Sequence, residues 1–352
     1  MQTAPSKIET IKMEQLIEID RQIGEQTKDD WVIQPRGFPA FLEKTAPSLA
    51  TFLSDSLYTE KAKRFENADS QAIEYQKRFK ARARDVSIAI FVSAAATALL
   101  TAMPLLTELS VPESIVSYMY LITGIIAALA SGTAIYNSQM IGQLKLYDQW
   151  MTHRAKAEIA RLSYFKEAAA HLVKEHANNP TTLMLYCSFF KRFQLDLQQN
   201  YYSGRSKQHE SNLRKTAKLG AIAAVIIAIS SGSSGLSGFG DATFTYLAAL
   251  GTLGIALTAL ASRFESLNQD ERNASRYKIT AEALSKVAEK YSSVQKALAQ
   301  GTNPAMLVQF VDAVHEQISL EHRQWTEDTA DISTAFTELS ATINKAEATA
   351  EQ

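Results

Sequence analysis

Hydroxyl side chains recur at helical spacing inside two long stretches of the chain that carry no charge. Hydroxyl groups can hydrogen-bond to water, so a row of them on an otherwise apolar helix could line a water-filled path. Alternatively, each hydroxyl bonds to its own helix or to a neighbouring one. The candidate pore-lining residues are Ser93, Thr97, Thr101, Ser230, Ser233, Ser234 and Ser237.

Charged residues flank these stretches and supply two further candidate sites. Acidic rings of Glu108, Glu113 and Asp241 at polar turns would favour cations at an outer mouth, although plain solvation also explains acidic residues there. Basic clusters on the opposite side could bind an anionic ligand, or contact anionic lipid headgroups. The candidate ligand-binding residues are Arg78, Lys80, Arg82, Arg84, Arg205, Lys207, Arg214 and Lys215.

The elements that must position these residues are four uncharged segments arranged in two pairs. They cover about 86–107, 114–140, 219–240 and 242–262. About 20 helical residues, at about 1.5 Å of rise each, cross the hydrocarbon core of a bilayer. The sequence therefore predicts an all-α protein, an integral membrane helical bundle built from two transmembrane hairpins. Its first partner is the lipid bilayer, and a pore would also require homo-oligomerisation.

Lysine and arginine lie on one side of every segment. Arg84 precedes the first, Lys145 follows the second, Lys218 precedes the third and Arg263 follows the fourth, whereas the hairpin tips carry only acidic charge. The positive-inside rule then places both termini and the middle region in the cytosol. The overall net charge of −1 argues against a general nucleic-acid binder.

The second half of the chain repeats features of the first. Asn179-Pro180 recurs as Asn303-Pro304, and Glu158 recurs as Glu282, each after 124 residues. We therefore predict a cytosolic segment over 1–56 and two tandem repeats over 57–202 and 203–352, with Ser203–Ser206 as the linker. Each repeat would contain one hairpin and the cytosolic helices that follow it.

The signatures of common enzymes are not found in the sequence. There is no Walker loop, GxGxxG, HExxH or GxSxG, and His315-Glu316 followed by His322 has the wrong spacing for a zinc protease. Cys187 is the single cysteine and has no nearby cation in sequence, so an inert buried thiol is expected. We predict no catalysis, no cofactor and no metal.

Two short patterns carry a family resemblance. Trp150-x-x-His153-Arg154-x-x-x-Glu158 follows the first hairpin, and a weaker copy, Arg276-x-Lys278-x-x-x-Glu282, follows the second, with Ala274 where the first copy has Trp150. Together with the basic helix and the two-span hairpin they resemble the SLATT family over about 60–180 and 200–310. These are two-transmembrane effector domains found beside nucleotide second-messenger synthases in prokaryotic conflict systems.

The resemblance implies a membrane-disrupting or ion-conducting effector in anti-phage defence, located in the cytoplasmic (inner) membrane of a prokaryote. It would be gated by a nucleotide or oligonucleotide messenger from an associated nucleotidyltransferase, and it would halt or kill the infected cell by abortive infection. Two other readings stay open. One is an α-helical pore-forming toxin that passes from a soluble to a membrane state, and the other is a non-conducting membrane scaffold that docks a soluble partner.

Overall fold

The computed structural model describes residues 47–108, 110–236 and 242–324, together with a few single positions before residue 47. These described residues are almost entirely helical and contain no strand, which confirms the all-α prediction. The helices are α1 (Pro47–Leu53), α2 (Ser56–Ala102), α3 (Pro104–Glu108), α4 (Glu113–Gln143), α5 (Leu146–His176), α6 (Pro180–Phe190), α7 (Leu197–Leu236), α8 (Ala242–Asn268), α9 (Asp270–Ala288), α10 (Tyr291–Ala299) and α11 (residues 305–324).

The chain forms two compact units. The head unit contains the described residues of 1–74, 150–206 and 275–327, and the span unit contains those of 75–149 and 207–274. The apolar segments all lie in the span unit, because charged helices precede and follow each hairpin. The long helices α2 and α7 each begin in the head unit and end in the span unit.

Helix α6 is the centre of the head unit. Its N-terminus forms as the sequence predicts, since the Asn179 side chain accepts a hydrogen bond from the Thr182 amide at 3.1 Å and Pro180 occupies the first turn. Every residue from Thr181 to Phe190 is buried, and the Tyr186 hydroxyl donates to the Phe165 carbonyl at 2.8 Å. The unusual apolarity of this segment is therefore explained by core packing. Cys187 is a buried thiol within it, as expected.

A π-helical turn, Lys191–Asp196, joins α6 to α7. The wider turn brings residues five apart next to each other, and Lys191 Nζ lies 2.6 Å from Asp196 Oδ2. Because this turn continues directly into α7, residues 180–235 form one helical run of 56 residues. The predicted linker Ser203–Ser206 lies inside it and is helical, so that prediction was wrong. Ser206 and the preceding Tyr202 are buried, which explains why the polar sequence does not form a loop.

Within the part of the chain that the structure describes, three helices are long and apolar enough to cross a membrane, namely α2, α4 and the run that ends in α7. They correspond to the first, second and third predicted spans. The fourth predicted span falls in α8, whose first side chains, over 242–249, lie outside the described part of the chain. The first span ends sooner than predicted, because α2 stops at Ala102 and Pro104 begins the separate helix α3.

Each apolar helix that leads back to the head unit ends at a residue with positive φ. Lys145 has φ 46° between α4 and α5, and Gln269 has φ 47° between α8 and α9. The helix that follows each hairpin is therefore separate from the apolar helix before it. Neither break carries glycine or proline, so no residue type at these positions predicts a turn.

Helices α7 and α8 approach each other closely at glycines. A Cβ atom placed on Gly254 would lie 2.6 Å from Ile227 Cγ1 and 3.1 Å from the Ala223 carbonyl oxygen, and one on Gly251 would lie 2.5 Å from Ser230 Oγ. Small residues allow this approach where lipid provides no hydrophobic drive for association. By contrast, a Cβ on Gly124 or Gly132 in α4 would meet nothing within 4 Å.

Candidate functional site

The hydroxyls of the first span bond within the hairpin. Ser93 Oγ lies 2.8 Å from Ser131 Oγ and joins α2 to α4, while Thr97 donates to the Ser93 carbonyl at 3.0 Å. Thr101 donates to the Ala98 carbonyl at 2.7 Å. A hydroxyl that donates to its own helix keeps its lone pairs available to water or to another polar group. Thr97 is exposed and Ser93 is half-buried in the single chain.

The hydroxyls of the third span divide between two environments. Ser230 and Ser233 are buried, whereas Ser234 is exposed. Ser233 donates to the Ile229 carbonyl at 2.8 Å, and Ser234 donates to the Ser230 carbonyl at 3.0 Å. Ser237 lies outside the described residues.

Only one of the acidic candidates has a described side chain. Glu113 is exposed in the first turn of α4, where a negative charge suits the helix dipole. Glu108 ends α3, and its side chain is not described. Asp241 lies outside the described part of the chain, so the predicted outer mouth stays a prediction.

The basic candidates lie on α2 and α7 next to the apolar segments. On α2, Arg82 donates to Asn137 Oδ1 at 2.9 Å, Arg84 lies 3.4 Å from Asp85 Oδ1, and Arg78 lies over the Tyr75 ring. Lys80 is exposed on the same helix. Asn137 is in α4, so Arg82 ties the two helices of the first hairpin together at their basic end.

The second basic cluster is spread along α7. Arg205 lies over the Tyr201 ring at 5.4 Å in the head unit. Lys207, Arg214 and Lys215 are exposed in the span unit. His209, on the same helix, contacts Asp270 at the start of α9, with 2.6 Å between His209 Nδ1 and Asp270 Oδ1. Asp270 is only 1% exposed, so this contact joins α7 to α9 at a buried position.

A buried ionic network in the head unit is the main feature that the sequence did not predict. Glu158 accepts from Arg154 at 2.9 Å and from Arg161, and only 4% of Glu158 and 6% of Arg161 are exposed. The Arg154–Glu158 pair has the i,i+4 spacing that supports a helix, and its burial could not be read from that spacing. Glu158 is also one residue of the Trp150–Glu158 pattern that carried the family resemblance.

The pKa values of two carboxyl groups in this network are shifted in opposite directions. Burial alone would raise the pKa of Glu158, but the guanidinium groups of Arg161 and Arg154 outweigh it and hold that pKa below its usual range. Burial raises the pKa of Glu321, against the opposing effects of Arg154 and of the Tyr202 hydroxyl, which donates to Glu321 Oε2 at 3.0 Å. Burial also raises the pKa of Tyr202 well above its ordinary value.

The histidines and acids of the described residues do not assemble into a metal site. No group of three or more His, Cys, Asp or Glu side chains with suitable geometry occurs among them. His315 is half-buried and burial lowers its pKa, and the same holds for His322.

The comparisons with known proteins agree with the hairpin architecture of the second half. Residues 190–325 match the family model SLATT_1, described as SMODS and SLOG-associating 2TM effector domain 1. No curated protein and no solved structure matches the chain. The matched residues include the weaker of the two patterns, Arg276 to Glu282, and exclude the Trp150 to Glu158 pattern.

The match covers the helices from the π turn through α11, and among its described residues the run that ends in α7 is long and apolar enough to cross a membrane. A SLATT domain implies a membrane effector of anti-phage systems, and the apolar helices α2, α4 and α7 fit a membrane protein. The resemblance seen in the sequence is thus confirmed for this segment: over residues 190–325 the chain carries a domain of the SLATT family of two-transmembrane effectors.

Proposed function

We propose that the protein assembles into an oligomeric ion-conducting pore that opens in response to a nucleotide or oligonucleotide signal. Opening would dissipate ion gradients and stop or kill a phage-infected cell. The SLATT domain supports the role of a membrane effector, and the pore is our inference from the chemistry of the spans.

The observation that carries this proposal is that hydroxyl-bearing faces lie uncovered on the apolar helices. In the most apolar windows of α2, α4 and the α6–α7 run, 28%, 11% and 17% of residues are buried within one chain. Thr97, Ser131, Thr133 and Ser234 are exposed on those helices. Polar side chains are costly in contact with lipid, so these faces favour contact with water or with another subunit.

The proposed orientation of the protein in the membrane follows from the charged residues that flank the spans. Basic residues at the head-unit ends of the spans favour a cytosolic head, with both termini on that side. The tips that carry Glu108, Glu113 and Asp241 would then face outward and favour cations. No Lys, Arg, Asp, Glu or His lies inside a predicted span, which argues against active transport and is compatible with a passive pore.

The test is conductance of the purified full-length chain in planar bilayers. Thr97→Leu and Ser234→Leu should each lower the current severalfold or abolish it, because a branched apolar side chain would narrow and dry the path. Leu99→Ile and Val225→Leu are matched controls, since Leu99 and Val225 are exposed apolar residues of the same two helices. They should conduct as the unaltered protein does.

Three outcomes contradict the proposal in different ways. Unchanged current in both leucine variants would remove the pore-lining assignment. Absence of current with every nucleotide tested, from protein that is folded and inserted, would favour a non-conducting scaffold. Recovery of the expressed protein in the soluble fraction would favour the toxin reading.

A further inference from the structure

The head unit contains an open groove of about 610 Å³ between α2 and α5. Its lining comes from one face of each helix, at spacings of three and four residues that repeat along the helix. The residues are Lys61, Arg64, Asn67, Ala68 and Gln71 of α2, and His153, Lys156, Ile159, Ala160, Ser163 and Glu167 of α5. The volume falls within the range of about 300–1,000 Å³ that is typical of small-molecule sites.

The charge of the groove selects an anion. Three of its lining residues, Lys61, Arg64 and Lys156, carry a positive charge, and of the described residues that line it Glu167 is the single carboxylate. Glu167 forms an ion pair with Lys61, and Glu60, which lies outside the lining, forms an exposed ion pair with Arg64. An anionic ligand would compete with these two carboxylates for Lys61 and Arg64, and Lys156 would add to its attraction.

The remaining lining residues suit the uncharged parts of a nucleotide. Asn67 and Gln71 present amide groups that both donate and accept hydrogen bonds, as base edges and ribose require, and Ser163 presents a hydroxyl. Ile159 is 66% exposed at the groove and provides an apolar surface on which a base can lie.

The position of the groove links it to the first hairpin. Helix α2 is continuous from Ser56 to Ala102, so the helix that carries Lys61 and Arg64 is the same one that contains the first span. Helix α5 begins at Leu146, directly after the break at Lys145 that ends α4. A ligand that contacts both walls of the groove would thus contact the two helices that lead into the first and second spans.

We infer that this groove binds a phosphate-bearing nucleotide and that the ligand acts on the first hairpin by bridging α2 and α5. The site lies apart in sequence from the basic clusters that flank the spans, which then serve orientation and lipid contact. The inference rests on the proposed function for the consequence of binding, but not for binding itself.

The test is binding of a fluorescent ATP analogue, mant-ATP, to the full chain in nanodiscs of zwitterionic lipid. Such lipid excludes anionic headgroups as the source of phosphate. We expect saturable binding that pyrophosphate displaces. The double substitution Arg64→Ala with Lys156→Ala should weaken it by roughly tenfold or more, because each removes a charge-assisted contact to phosphate. Glu167→Gln should tighten it severalfold by releasing Lys61.

The matched control is Arg214→Ala with Lys215→Ala, which removes two exposed cations from the cluster that flanks the third span. It should bind mant-ATP as the unaltered protein does. Equal loss in both double variants, loss only in the control, or no saturable binding to the unaltered chain would each overturn the inference. Current recorded from the same preparations separates the two proposals: a groove that binds without any current contradicts the pore, and a current without groove binding contradicts only the inference.

Discussion

At the scale of single residues, burial changes the meaning of a common sequence pattern. Glu60 and Arg64 stand four apart on α2, as Arg154 and Glu158 do on α5, and both pairs form ion pairs. The Glu60–Arg64 pair is exposed, whereas Glu158 is buried and also forms an ion pair with Arg161. Sequence alone could not separate the two pairs, because the burial of Glu158 depends on partners such as Tyr202 and Glu321, which lie more than forty residues away.

Glu158→Gln should destabilise the head unit by about 3–5 kcal/mol, because it leaves buried guanidinium charge without its counter-ion. Glu60→Gln is the matched control and should change the free energy of unfolding by less than about 1 kcal/mol. Denaturant unfolding of the protein in detergent measures both. Equal effects of the two substitutions would show that the buried network does not stabilise the fold.

The pH dependence of the Glu158 effect has a definite sign. Since the folded pKa of Glu158 is lowered, its contribution to stability is present above the pKa of the unfolded chain and is lost as the pH falls through the folded value. The difference in stability between the unaltered protein and Glu158→Gln should therefore shrink in acid.

Glu321→Gln should behave in the opposite way. The folded pKa of Glu321 is raised, so its stabilising protonated form is complete below the unfolded pKa and is lost as the pH rises through the folded value. The amide carbonyl can still accept from Tyr202 and carries no charge to desolvate. We expect stability equal to or above that of the unaltered protein at neutral pH, with an advantage that grows from acid to neutral pH. A loss as large as that of Glu158→Gln would contradict the assignment.

At the scale of elements, the positions of the apolar helices could be predicted and their ends could not. Uncharged segments of about 20 residues predicted the first three spans because length and hydrophobicity alone decide that question. The breaks at Lys145 and Gln269 carry no turn residue, and the Ser203–Ser206 segment has turn composition yet is helical. Tertiary packing decides those points. The two breaks lie 124 residues apart, the same interval as the two Asn-Pro pairs, which supports the proposed duplication.

Gly254→Ala tests whether α7 and α8 depend on close contact. The added methyl would meet Ile227 and the Ala223 carbonyl, so we expect a loss of about 1–3 kcal/mol from overpacking. Gly132→Ala is the control, because a Cβ there meets nothing within 4 Å. Thermal unfolding in detergent should separate the two variants. A stable Gly254→Ala protein would show that the two helices can move apart at little cost.

At the scale of the whole molecule, the chain divides into a head unit and a span unit, and the span unit contains the apolar segments. The candidate groove was not predictable, since its three cations are separated by up to 95 residues and none stands in a recognisable motif. The hydroxyl rows follow from the spacing of serine and threonine in the sequence, and their hydrogen bonds follow from the helices that carry them. The proposed function depends first on residence of the apolar helices in lipid.

Site-directed thiol labelling of intact cells tests this residence most directly, because the single native cysteine, Cys187, is buried and gives a silent background. A membrane-impermeant maleimide should label Ser110→Cys, at the tip of the first hairpin, in intact cells. It should label Lys290→Cys, between α9 and α10, only after the membrane is permeabilised. Labelling of Lys290→Cys in intact cells, or release of the unaltered protein from membranes by alkaline carbonate, would contradict the account.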